Sequence, residues 1–394
     1  MKKLLLATAA TGLFAGAAAA DEVKMGILLG FTGPIESITP SMAASAELAF
    51  AEISESGLFL GGSTITTVRA DSTCVDSSAA TAAADRLITA EGIAALMGAD
   101  CSGVTRAVLE NVAMVNGVPM ISPSATSPGF STLDSGGMFY RTAPSDARQG
   151  AVMAEVVMGR GIDTIAVTYT NNDYGKGLAD SFAAAFTAAG GTVTVSAPHE
   201  DGKGDYSAEV GTLAAAGGDA LAVLGYADRG GVGIIQNAVE SGAFETFVLG
   251  DGMYAQSLID TIGPDLNGTF GVVPWSVGDG AERFAEIAAA AGFDAATSYT
   301  RESYDAAALL ALAAQAAGSA DPAGIAANIL NVANAPGEPI MPGELARGLE
   351  ILAAGGEIDY VGATNVELIG FGEASGTYRE YTITDGAFVE DKIH

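Results

Sequence analysis

IAALMGADCSGVTRAVLENVAMVNGVPMISPSATSP, residues 93–128, decides the fold. A short apolar run (93–98) ends in a polar loop, an amphipathic stretch (103–115) follows, and a second apolar run (118–122) ends in another Ser/Thr-rich loop. Runs this short with helical spacing between them read as strand, helix, strand, and they imply a parallel sheet covered by helices. The pattern extends upstream with strands at 23–29 and 65–70 and helices at 40–56 and 77–90. Residues 139–144 read as a strand leaving the first unit. The alternation then restarts with helices at 146–160 and 172–189. Strands are expected at 164–169, 192–196, 220–224, 247–249 and 270–273, with further helices at 282–291, 297–317 and 322–331. From residue 358 the chain turns strand-like again, most clearly over 378–384. The expected fold is α/β, with two doubly wound parallel-sheet lobes that face a shared cleft at the carboxyl ends of their strands.

Compartment and charge narrow the function. Lys2 and Lys3, an apolar stretch over 4–17 and Ala18-Ala19-Ala20 read as an export signal with cleavage expected after Ala20, the alternative being a membrane anchor. Without Lys2 and Lys3, 15 basic residues face 47 acidic ones, a net charge of −32. Such a surface repels phosphates and anionic lipids, so no nucleic-acid or membrane-surface partner is expected. In an exported chain the only two cysteines, Cys74 and Cys101, read as one disulfide, with two free thiols as the alternative. Catalytic readings are thin. With His199 and His394 the only histidines, neither a His metal site nor a Ser-His-Asp set is easily built. No P-loop or G-x-S-x-G elbow is present, and 201–205 lacks the acidic third position of a calcium loop. No enzyme activity, metal or cofactor is expected.

The strand-end loops carry the informative chemistry. Ser102 follows Cys101, and Ser124, Thr126 and Ser127 follow the 118–122 strand. Hydroxyls beside exposed backbone N–H groups suit a carboxylate, although Ser and Thr at such positions also cap helices. In the second unit Tyr174, Tyr226 and Asp251 stand after successive strands. The tyrosines fit a cleft wall or ordinary packing, and Asp251 between two glycines fits an ammonium partner or a turn.

Phe31-Thr32-Gly33-Pro34, the cysteine pair, the 122–128 loop, Asp173-Tyr174-Gly175-Lys176-Gly177, Asp205-Tyr206-Ser207 and Tyr304-Asp305-Ala306 occur in one order over nearly the whole mature chain. In these the sequence resembles type I periplasmic substrate-binding proteins of ABC importers, especially the branched-chain amino acid group. The resemblance implies two lobes closing on a ligand around a three-crossing hinge, divided as 21–143 plus 273–362 and 144–272 plus 363–394. It implies that Ser102, Ser124 (through its backbone) and Thr126 hold an α-carboxylate and that Asp251 holds the α-ammonium. Tyr174 and Tyr226 would close over the ligand, with Tyr304 as a further wall. Where leucine-type members carry an aromatic residue after Gly-Pro, this chain has Ile38, near Glu36 and Ser37. The expected protein is a monomer in the periplasm that passes a small zwitterion or carboxylate to ABC permease subunits in the inner membrane. The alternatives are a ligand-presenting sensory module and a binder of an aromatic acid or amide.

Overall fold

The computed structural model describes residues 21–394; the expected export signal lies outside the described residues. Five strands open the chain: β1 (Glu22–Leu29), β2 (Thr64–Asp71), β3 (Ala95–Gly98), β4 (Met120–Ser122) and β5 (Phe139–Arg141). Five more follow: β6 (Thr164–Thr170), β7 (Thr192–His199), β8 (Ala220–Leu224), β9 (Phe247–Leu249) and β10 (Phe270–Pro274). The chain then returns through β11 (Glu338–Ile340), β12 (Ile358–Tyr360), β13 (Leu368–Ile369), β14 (Glu373–Ala374), β15 (Tyr378–Thr384) and β16 (Ala387–Ile393).

These build two seven-stranded sheets, ordered β13-β14-β5-β4-β3-β1-β2 and β16-β15-β10-β9-β8-β6-β7, with β11 and β12 as a separate pair. Within each sheet the first five strands follow the same order and are all parallel. The order reverses at β1/β3 in one lobe and at β6/β8 in the other, which is where open α/β sheets place ligands. Strands β3, β4, β8 and β9 are buried at every position, as strands covered on both faces must be.

The first lobe is underpinned by the helix Thr300–Ala317, buried at nearly every residue from Thr300 to Gln315. Its alanines let it lie close against the helix Thr39–Glu55 and against β3 and β4. A one-sided amphipathic helix would leave a face for water, whereas this one is buried nearly all round and is apolar at every position from Ala306 to Ala314.

The chain crosses between the lobes three times: after β5, after β10, and between β14 and β15. The pairs β13 and β14 join the first sheet, although the sequence division allotted 363–394 to the second lobe; each is only two residues long and carries too weak a pattern to be read. At the second crossing stands Trp275, the sole tryptophan, with the guanidinium carbons of Arg301 and Arg379 4.0 and 3.5 Å from its ring centre.

Candidate functional site

The first lobe's rim is built around Asp100, which is fully buried. Its carboxylate accepts from the Gly30 N–H (2.5 Å), the Ser72 hydroxyl (2.8 Å) and the Cys101 N–H (2.9 Å). Burial pushes its pKa up, against the pull of those donors. Cys74 and Cys101 form a disulfide, with Cα atoms 5.1 Å apart. Because β1 lies between β2 and β3, this bridge ties the two flanking loops across the end of β1. Gly30 suits this close approach, since a Cβ would sit 3.1 Å from both Asp100 Oδ2 and Cys74 Cβ, a tight contact.

Ser102 opens the helix Ser102–Val108, and its hydroxyl accepts from the Ser127 N–H at 3.1 Å. Ser124 donates its hydroxyl to the Asp100 carbonyl at 3.2 Å, and its N–H reaches Ser122 Oγ at 3.3 Å. Thr126 is fully buried, and its hydroxyl makes no hydrogen bond to any described residue. Three loops after β1, β3 and β4 therefore converge on hydroxyls and N–H groups, with no basic side chain among them.

The second lobe offers the opposite chemistry. Asp251, after β9, is buried; its Oδ1 accepts from Tyr174 Oη (2.9 Å) and Gln149 Nε2 (2.8 Å), and its Oδ2 accepts from Tyr299 Oη. Burial pushes this carboxyl's pKa up, while the three neutral donors oppose the shift. A carboxylate offers about four lone-pair sites, so three donors leave Asp251 room for one more. The Tyr174 hydroxyl also accepts from the Gly252 N–H at 3.0 Å, and its ring lies 5.2 Å from that of Tyr226, nearly parallel. Burial holds all three tyrosine hydroxyls well above their usual pKa, as neutral groups.

Together Ile35, Ile38, Asp100, Cys101, Ser102 and Ser124 face Tyr174, Tyr226, Asp251, Gly252 and Tyr299 across one cavity. The lobes are closed on it. Ser37 N–H donates to Asp228 Oδ2 (2.9 Å), Asp228 N–H to the Pro34 carbonyl (3.1 Å), and Arg106 pairs with Asp173 (3.0 Å). The space left is about 20 Å³, the room of a single water.

Of the residues expected from sequence, the structure brings Ser102, Ser124, Tyr174, Tyr226 and Asp251 to this cavity. Thr126 lies in the same loop as Ser124. Tyr304 stands elsewhere, buried against the helix Thr39–Glu55, with its hydroxyl 2.5 Å from Glu52 Oε2. The wall is formed instead by Tyr299, held at φ 63° just before the helix Thr300–Ala317 begins. Sequence reasoning also passed over Gln149 and Asp146. Both are fully buried, three positions apart on one helix, and a polar pair on an otherwise apolar face was the available signal. Neither oxygen of Asp146 accepts a hydrogen bond of ordinary geometry. Burial, followed by the Asp251 charge, holds its pKa well above the usual carboxylate range, against the pull of the nearby Thr126 hydroxyl and the Arg141 charge. Among the described residues no cluster of side chains suited to a metal occurs.

The periplasmic binding protein family profile matches residues 22–348. The chemotactic signal transduction system substrate-binding protein BasB of Halobacterium salinarum is 31% identical over 314 residues, 77% of this chain and 73% of its own. Leu/Ile/Val-binding protein homolog 1 of Brucella melitensis is 31% identical over 322 residues, 80% and 84% of the two chains. Among solved structures, a leucine-binding protein from Thermotoga maritima superposes with a TM-score of 0.78 at 24% identity, covering 94% of this chain and 98% of that one. A Rhodopseudomonas palustris solute-binding protein in complex with 4-hydroxybenzoate superposes with a TM-score of 0.74 at 17% identity, covering 95% and 97%. The chain belongs to the periplasmic binding protein family, and within it is similar to the Leu/Ile/Val-binding proteins. This is a family of substrate binders, not catalysts.

Proposed function

We propose that the protein captures an amino acid with an aliphatic side chain in the periplasm and delivers it to an ABC permease in the inner membrane. One observation carries this reading: the cavity is lined by two buried acids, Asp251 and Asp100, and by no lysine or arginine, and Asp100 is already held by Gly30, Ser72 and Cys101. A plain anion such as benzoate would meet Asp251 with no cation to offset it. A zwitterion brings its own ammonium to Asp251 and leaves its carboxylate to Ser102, the Ser124 backbone and Thr126. Neutral donors at a helix start suffice for a carboxylate. Ile35 and Ile38 form an apolar corner for the side chain, which an aliphatic group fills at about 25 cal/mol per Å² buried. The remaining 20 Å³ is too small for any amino acid, so the lobes part for entry and close on the ligand.

Titration calorimetry with leucine, isoleucine, valine, benzoate and 4-hydroxybenzoate tests this, with Trp275 emission at the hinge as a readout of closure. Submillimolar binding of the aliphatic amino acids alone is expected. Binding of the benzoates and not of amino acids would overturn it. A second reading, presentation of the ligand to a membrane sensor, is supported by the chemotactic relative. Ligand-dependent pulldown of a permease or of a sensor separates the two.

A further inference from the structure

We propose that Arg141 is a positioning residue that strengthens the carboxylate seat from behind, by polarising the peptide group between Ala125 and Thr126. The proposal rests on the carboxylate reading of that seat given above.

Arg141 is fully buried at the end of β5, opposite Ser122 in the neighbouring strand. Its Nη1 donates to the carbonyls of Ala125 and Ser127, both at 2.9 Å. Its Nη2 donates to Ser131 Oγ (3.0 Å) and to Glu373, whose side chain is about one-fifth exposed. In a trans peptide the N–H points opposite to the C=O. The Ala125 carbonyl is turned down onto the guanidinium, so the Thr126 N–H of the same peptide is turned up, away from it. That N–H donates to no described protein atom, and the buried Thr126 hydroxyl beside it likewise makes no hydrogen bond. The second carbonyl belongs to the Ser127–Pro128 peptide, which has no N–H, so that contact only fixes the loop.

The arrangement is poorly explained by stability alone. A buried ion pair seldom improves on a well-packed apolar replacement, because the desolvation of both charges offsets their attraction. A positive charge that cannot touch the ligand still acts on it through an intervening peptide dipole. It does so in a low-dielectric interior, where such interactions are strong. Glu373 sets how much of that charge the seat feels. It also ties the loop to the third crossing, since Glu373 pairs with Arg141 in the sheet.

The test compares a carboxylate with its neutral amide. L-leucine and L-leucinamide, and separately benzoate and benzamide, are titrated into the full chain at pH 7 for wild type, Arg141→Gln and Glu373→Gln. The amide introduced by Glu373→Gln keeps an oxygen to accept from Arg141 and Ser131, so the loop geometry is retained while the counter-charge is removed. For the carboxylate that wild type binds, affinity is expected to fall about tenfold in Arg141→Gln and to rise about threefold in Glu373→Gln. The matching amide is expected to change less than about twofold. Equal losses for carboxylate and amide, or an unchanged or weakened carboxylate affinity in Glu373→Gln, would reduce Arg141 to a brace and overturn the proposal, with the binding reading intact. If Arg141→Gln does not fold, the sign of the Glu373→Gln effect decides alone. Failure of wild type to bind either carboxylate overturns the reading of the seat, and the proposal with it.

Discussion

The two lobes share one strand order and one way of offering residues to the cleft, yet they bring opposite chemistry to it. The first presents hydroxyls and backbone N–H groups on loops pinned by the Cys74–Cys101 bridge and by the buried Asp100. The second presents a carboxylate ringed by tyrosine and glutamine donors, on loops without a covalent brace. One strand order used twice thus presents two different ends to the cleft. One end offers hydroxyls and N–H groups without a basic side chain in contact, and the other offers the buried acid Asp251. The difference teaches that the chemistry offered to the cleft is set by residues at strand ends, while the topology only aims them.

The sharpest way to break this contrast is Asp251→Asn. It keeps the shape and removes the only charge that answers an ammonium at that end. Amino-acid affinity measured by calorimetry should fall at least about 100-fold, the effect of losing one partner of a desolvated charged hydrogen bond. Far-UV circular dichroism should be unchanged. Retained affinity would place the ammonium elsewhere.

The covalent asymmetry comes next. Replacing Cys74 and Cys101 by serine should lower unfolding stability by about 2–4 kcal/mol in denaturant titration. An effect confined to affinity, with stability intact, would make the bridge a binding element instead of a brace.

Acidity sharpens the comparison at the helix that supports the first lobe. Burial lifts Glu302 from its ordinary 4.5 to about 7 and Asp305 from 3.8 to about 6, the latter despite four donors from Tyr360, Ala363 and Thr364. Because both folded-state values are raised, the folded chain holds more protons than the unfolded one across that window. Their contribution to stability is therefore complete below about pH 4 and is lost as pH rises through about 6 to 7. Thermal unfolding should move to lower temperature between about pH 5 and pH 8, with Glu302→Gln flattening the slope by on the order of 1–3 kcal/mol.

The smallest effect separates two tyrosines. Tyr299→Phe should weaken amino-acid binding several-fold, by freeing Asp251 of one donor, while Tyr304→Phe should leave affinity alone. The latter should destabilise by about 1 kcal/mol through its lost bond to Glu52. The reverse pattern would return Tyr304 to the wall.

Much of this architecture was legible in the chain because buried parallel strands are short, apolar and bounded by polar loops. Residues 93–128 alone gave strand, helix, strand and two rims, and both tyrosines and Asp251 followed from their places after strands. The returning strands β13 and β14 were not legible, since two-residue pairings carry no period. Tyr299 was missed because its role depends on a left-handed backbone turn that brings the start of a first-lobe helix against a second-lobe acid. Gln149 and Asp146 were missed because helical spacing shows which face is buried and not what that face meets.

By itself the sequence determined a two-lobed α/β scaffold, the cysteine pair and the polar strand ends, because periodicity and residue chemistry are local properties. Only the tertiary structure decided that Asp251 is answered by neutral donors alone, that Arg141 stands behind the Thr126 peptide, and that Tyr304 lies outside the cavity. Those facts depend on which groups from distant segments share a buried volume, and burial, which sets the strength of every charge and hydrogen bond there, is a property of the folded whole.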